Sequence, residues 1–146
     1  ARAAPGACGE PVDELVGSWV QPVGAILSSA PTTFEPWVDI FPHIWTSMQS
    51  IVGQPWETDP EAYRRVSPIH HIGSSPLPVL LLDGGNEHMF PREQAEDFAV
   101  RLRAAGGWAE RHEYPTAEHG FLYDVTRRPQ QAAFAEIIRF LSRFGS

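Results

Sequence analysis

Lysine is absent from the 146 residues, and all 11 basic residues are arginines, set against 18 acids for a formal charge of -7. With a pI near 5.3 the chain offers no basic face to phosphate backbones or anionic membranes, so nucleic acid and membrane are poor partners. Cysteine occurs once, at Cys8. It can form no internal disulfide, and the flanking Ala7 and Gly9 neither activate it nor give metal-ligand spacing. No apolar run reaches the length of a membrane span, and the first residues lack the apolar core and charge pattern of a secretory signal. The expectation is a soluble protein; its location stays unknown, with the cytoplasm slightly favoured.

What is present is a hydrophobic content of 42% with 20% charged residues, ordinary for one globular domain with a real core. The most informative stretch is Leu77–Pro91, LPVLLLDGGNEHMFP. Val79-Leu80-Leu81-Leu82 is apolar without alternation and is bounded by Pro78 and Gly84-Gly85, the pattern of a parallel strand covered on both faces. Just past its carboxyl end stand Asp83, Asn86, Glu87 and His88. Chemistry in open α/β sheets gathers at the carboxyl ends of strands, so a carboxylate in this turn can orient an imidazole. The imidazole is offered by Thr116-Ala117-Glu118-His119-Gly120-Phe121, which follows the next strand-like run, Ala109 to Tyr114.

The succession VSPIHHI, PLPVLLLDGGNEHMFP and RHEYPTAEHGF resembles the C-terminal half of an α/β-hydrolase of the esterase/lipase kind, over roughly residues 20 to 144. In that family a strand ends in a turn that bears the acid, and a later His-Gly-Phe bears the base. The resemblance therefore implies His119 as base and Glu87 as acid, where the family usually has Asp. Asp83 stands where the family usually has His, and it remains the alternative acid. Met89-Phe90-Pro91 matches the close of the acid turn. No G-x-S-x-G occurs anywhere in the chain, so the nucleophile elbow is missing. Ser29 follows a strand but meets Ala30-Pro31, more loop than elbow, and Ser18, Ser28, Ser74 and Ser75 sit in poorer contexts.

The remaining segments are read in chain order. Ala1–Ala4 resembles the last turn of a helix, Val12 to Val16 a helical turn, and Val23–Ser28 the first strand. Between 33 and 53 the apolar residues come near helical spacing, with Pro42 expected to break or kink the helix. By resemblance this cap-like segment, about 33 to 66, stands beside the active site. Trp37, Phe41 and Phe121 are the candidate pocket residues. Thr58-Asp59 caps a short helix over Pro60–Arg65. His70-His71 is a poor chelate because adjacent residues on an extended segment point to opposite sides, and His112 lies within a strand as a structural group. A helix after Pro91 buries Ala95, Phe98, Leu102 and Ala105; a last helix, Pro129 to Phe144, puts Phe134, Ile137, Ile138, Leu141 and Phe144 on one docking face.

The expected architecture is α/β: a parallel sheet of about three strands flanked by helices, forming residues 1–146 of a single hydrolase domain's C-terminal part, with right-handed crossovers. The first strand's outer edge is expected to be free and the isolated chain to self-associate. The expected function is carboxylic-ester hydrolysis of a small-molecule ester. Neither cofactor nor metal is implied, and the serine comes from an N-terminal half or partner chain. Alternatives are a serine peptidase of the prolyl-oligopeptidase type and a non-catalytic relative that binds a ligand or partner.

Overall fold

The computed structural model describes residues 21 to 145; Ala1–Ala4, Cys8, the turn at Val12–Val16 and Ser18 lie outside the described residues. Three strands, β1 (Ala25–Ser28), β2 (Val79–Gly84) and β3 (Ala109–Tyr114), form a parallel sheet in the order β1-β2-β3. The register pairs Ala25 with Val79 and Ser28 with Leu82, then Val79 with Ala109 and Gly84 with Tyr114. All six residues of β2 are buried. The unalternated apolar run of β2 is explained by the layers on either side, since a parallel strand with two covered faces has no polar side.

Each face has its own helix. Val79 and Leu81 pack with Ala95, Phe98, Ala99 and Leu102 of α3 (Arg92–Ala104). Leu80 and Leu82 pack with Ala133 and Phe140 of α4 (Arg128–Phe144), together with Ala117 and Phe121. Full burial of a leucine contributes about 1.5–3 kcal/mol, so β2 is the anchor of both layers.

Between β1 and β2 run two further helices, α1 (Pro42–Val52) and α2 (Pro60–Val66). Pro42 begins α1 at its first turn and does not kink a longer helix; a proline there costs no intrahelical hydrogen bond. Trp37 and Phe41 consequently stand in the loop ahead of α1. Tyr63 of α2 is wholly buried, stacks on Trp45 at 5.5 Å and donates to the Gln54 carbonyl at 2.6 Å. Asp59 caps α2 by accepting from the Ala62 amide at 3.1 Å.

The face of α4 differs from the expected one. Gln130, Ala133 and Phe140 are the buried residues, with Ile137 and Phe144 packed against them, whereas Phe134, Ile138 and Leu141 are 61%, 48% and 49% exposed. A small residue, Ala133, is wholly buried in the cluster with Leu80 and Leu82 of β2. The larger side chains flank it. None of the described helices is long and apolar enough to cross a membrane.

Candidate active site

Two loops that leave neighbouring strands at the same end meet above β2 and β3. The turn after β2 is tied to the loop after β3 by the Gly85 amide, which donates to the Tyr114 carbonyl at 2.8 Å, and by the Asn86 amide, which donates to the Ala117 carbonyl at 2.9 Å. Glycine is required at both positions where the loops touch. A Cβ on Gly84 would lie 2.5 Å from the Ala117 carbonyl oxygen, and one on Gly85 would lie 2.6 Å from Pro115 Cα. Both are closer than any real side chain tolerates.

This approach places His119 over Glu87. The Glu87 carboxylate accepts from His119 Nδ1 through Oε2 at 2.8 Å. Its other oxygen, Oε1, accepts from the amides of Met89 at 2.7 Å and Phe90 at 3.4 Å. The Glu87 side chain is only 7% exposed, against 30% for His119. Both carboxylate oxygens are therefore engaged by donors. A carboxylate held so fixes the ring, and with Nδ1 occupied the tautomer leaves Nε2 free to accept a proton. Among the described residues no hydrogen bond is made to Nε2.

Asp83, the alternative acid, is elsewhere engaged. Its Oδ2 accepts from Arg111 Nε at 2.7 Å, and no contact joins it to His119. Burial pushes the Asp83 carboxyl above its ordinary value; Arg111 pulls it down, and the negative charges of Glu87 and Glu113 add to the rise. Asp83 and Arg111 occupy the α3 face of the sheet, a pairing that depends on strand register and is absent from any local motif.

The aromatic candidates divide. The edge of Phe90 meets both the His119 ring at 5.5 Å and Trp37 at 6.0 Å. Trp37, Asp39, Glu87, His88 and Arg92 line a cleft of about 340 Å³. Phe41 is 41% exposed and packs on His88 at 6.1 Å. Phe121 is in the core, 8% exposed and against Tyr114 at 5.1 Å. It belongs to the layer under α4 and not to this cleft. Phe90, which links His119 to Trp37, was legible in the sequence only as the apolar close of the Glu87 turn.

Asn86, His88 and Glu118 are exposed around the pair. Ser29, directly after β1, has a left-handed backbone with φ 45 and a buried hydroxyl without a hydrogen-bond partner, but no bond joins it to His119. His70 and His71 reach separate partners, Glu35 at 2.9 Å and the Arg65 carbonyl at 2.5 Å. Among the described residues one group has ligand-like spacing, Glu110, His112 and Glu136. Arg139 forms ion pairs with both of its carboxylates, so a cation of the chain itself fills that position.

The prolyl oligopeptidase family model matches residues 24–144. The esterase LipC of Mycobacterium tuberculosis is 35% identical over 75 residues, which are 49% of this chain and 18% of that protein. Among solved structures, Thermogutta terrifontis esterase 2 phosphonylated by sarin superposes with a TM-score of 0.70 at 22% identity, covering 97% of this chain and 50% of that one. Pyrococcus horikoshii acylaminoacyl peptidase gives 0.69 at 18% identity, covering 82% and 20%. The chain thus spans half or less of each of these relatives. The fold is that of the α/β-hydrolases, and the chain belongs to the prolyl oligopeptidase family.

Proposed function

We propose that this chain supplies the acid and the base of a serine hydrolase that cleaves carboxylic esters. The observation that carries the reading is the 2.8 Å contact between Glu87 Oε2 and His119 Nδ1, with the carboxylate seated on two backbone amides and Nε2 left open. In this scheme His119 Nε2 takes the serine proton as the serine oxygen attacks the ester carbonyl, then returns it to the departing alcohol. Glu87 holds the ring and stabilises the imidazolium between those steps. A water activated by the same histidine then releases the acid.

The serine and the oxyanion donors come from a second half of the fold on the β1 side of the sheet. The two flanks of α4 support this placement. On the β3 side, Glu136 and Arg139 make ion pairs with His112 and Glu110 of β3, a finished polar margin. The opposite flank carries the exposed stripe of Phe134, Ile138 and Leu141, and among the described residues β1 has no strand beyond it. A free strand edge beside an uncovered apolar stripe is a surface for another segment.

A peptidase reading is favoured by the matching family. Ester substrates are preferred here because the esterase neighbours superpose over nearly the whole chain. Purified complete enzyme assayed on short-chain p-nitrophenyl esters and on N-acylated peptides separates the two. Turnover of the esters, lost in His119→Ala, is the expected result; turnover of peptides alone assigns the peptidase, and full activity in His119→Ala removes His119 from the mechanism.

A further inference from the structure

Beneath the proposed dyad lies a group of four charges that the scheme above leaves unused. Asp83, the last residue but one of β2, stands four residues before Glu87, and its side chain is 12% exposed; Arg111 of β3, which holds it, is 15% exposed. Arg111 also reaches Glu113 at 3.1 Å, and Arg92, at the start of α3, reaches the same Glu113 oxygen at 2.8 Å. Asp83, Arg111 and Glu113 are on one face of the sheet because strand side chains alternate and the register sets Asp83 opposite Glu113. The ladder holds two acids and two arginines, so it is neutral. Asp83, Glu87 and Arg92 share the lining of one narrow recess with Ser29.

Two carboxylates so near each other do not behave independently. Asp83 feels the charge of Glu87, and the two line the same recess. An ionised Asp83 without a partner would place a second negative charge beside Glu87, the carboxylate that holds the His119 ring, and favour the imidazolium, which cannot accept a proton. We propose that Arg111 is a positioning residue for the dyad: by cancelling Asp83 it leaves Glu87 as the single carboxylate acting on His119. Among the described residues the charged groups facing Asp83 are Arg111 and Glu113 from β3, Arg92 from α3 and Glu87 from the turn, while the β1 side contributes the uncharged Ser29. The other titratable groups around the ring, His88 and Glu118, are exposed.

The proposal rests on reading His119 as the base, but its test needs no substrate, so the two can fail separately. Titration of the His119 ring is followed by NMR in the complete polypeptide with labelled histidine. Arg111→Gln is expected to raise the midpoint by about half a pH unit, and Asp83→Asn to lower it by about as much, the shift of one charge across a partly screened path. The double variant is expected to return to the parent midpoint. Opposite signs are what a merely structural role cannot produce. Single variants that leave the midpoint unmoved, or move it the same way, overturn the proposal, as does a double variant that stays shifted. If breaking the buried pair prevents folding, Glu113→Gln carries the test from the more exposed end. It leaves the ladder with a net positive charge and should lower the midpoint; no movement in that variant overturns the proposal equally.

Discussion

Among the described residues three histidine–glutamate contacts have nearly the same length, and one of them differs from the other two in its chemistry. His119 meets Glu87 at 2.8 Å, His112 meets Glu110 at 2.8 Å and His70 meets Glu35 at 2.9 Å. In the first, the ring uses Nδ1 and the carboxylate is otherwise held by backbone amides. In the other two the ring uses Nε2, and an arginine also claims the acid: Arg139 on Glu110 and Arg64 on Glu35. An acid shared with a guanidinium has its charge already answered and binds the histidine as one more surface partner. An acid fixed by amides keeps its charge for the ring. Distance alone does not separate the three contacts; the nitrogen used and the acid's other partners do.

The sharpest way to break this comparison is to remove each ring in turn. In the complete hydrolase His119→Ala should lower turnover by about 10³–10⁴-fold, whereas His112→Ala should change it by less than about threefold; steady-state kinetics on an ester reads both. Next come the acids. Glu87→Gln keeps an acceptor for the Met89 amide but loses the charge that stabilises the imidazolium, for an expected loss of about 10²–10⁴-fold. Glu110→Gln should leave turnover intact and shift stability by less than about 1 kcal/mol, measured by urea unfolding.

A third variant attacks the approach of the two loops and not their chemistry. Gly84→Ala sets a methyl group against the Ala117 and Glu118 carbonyls, at 2.5 and 2.9 Å, and forces His119 away from Glu87. A displacement of that kind is expected to cost about 10²-fold in turnover and about 1–3 kcal/mol in stability. Gly73→Ala, whose Cβ would meet nothing within 4 Å, is the control.

The smallest effect concerns pH. Burial raises the Glu35 carboxyl, but the hydrogen bonds from His70 and Arg64 outweigh it, so the group sits below its ordinary 4.5. A carboxyl depressed by folding adds stability above its unfolded value, and that contribution is lost as the pH falls through the folded value. Thermal melts should therefore show Glu35→Gln and the parent converging below pH 4 and separating, modestly, above pH 5.

Much of this site was legible in the residues because it is local. The apolar run ending in Asp-Gly-Gly marks a buried strand and its turn, and Pro91 after Phe90 marks the helix that follows. His119 and Glu87 stand at the ends of adjacent strands, where short motifs suffice. Relations fixed by register or by packing were not legible in the same way. The pairing of Asp83 with Arg111 needs the alignment of β2 on β3, which no local pattern encodes. The face of α4 misled for a related reason: helical spacing groups Phe134, Ile137, Ile138, Leu141 and Phe144 as apolar, but the neighbour that covers each decides burial. Pro42 fits the first turn of a helix as well as a kink, and only the path of residues 33 to 41 distinguishes them.

The reading proposed above makes His119 the base and takes the nucleophile from outside this sequence. A fluorophosphonate reacts covalently with activated serines, so it is the probe to use on protein from its native source, with the adduct mapped by peptide mass spectrometry. An adduct on a serine outside residues 1–146, abolished in His119→Ala, is the expected result. An adduct on a serine of this chain, Ser29 foremost, or labelling undiminished without His119, would contradict it.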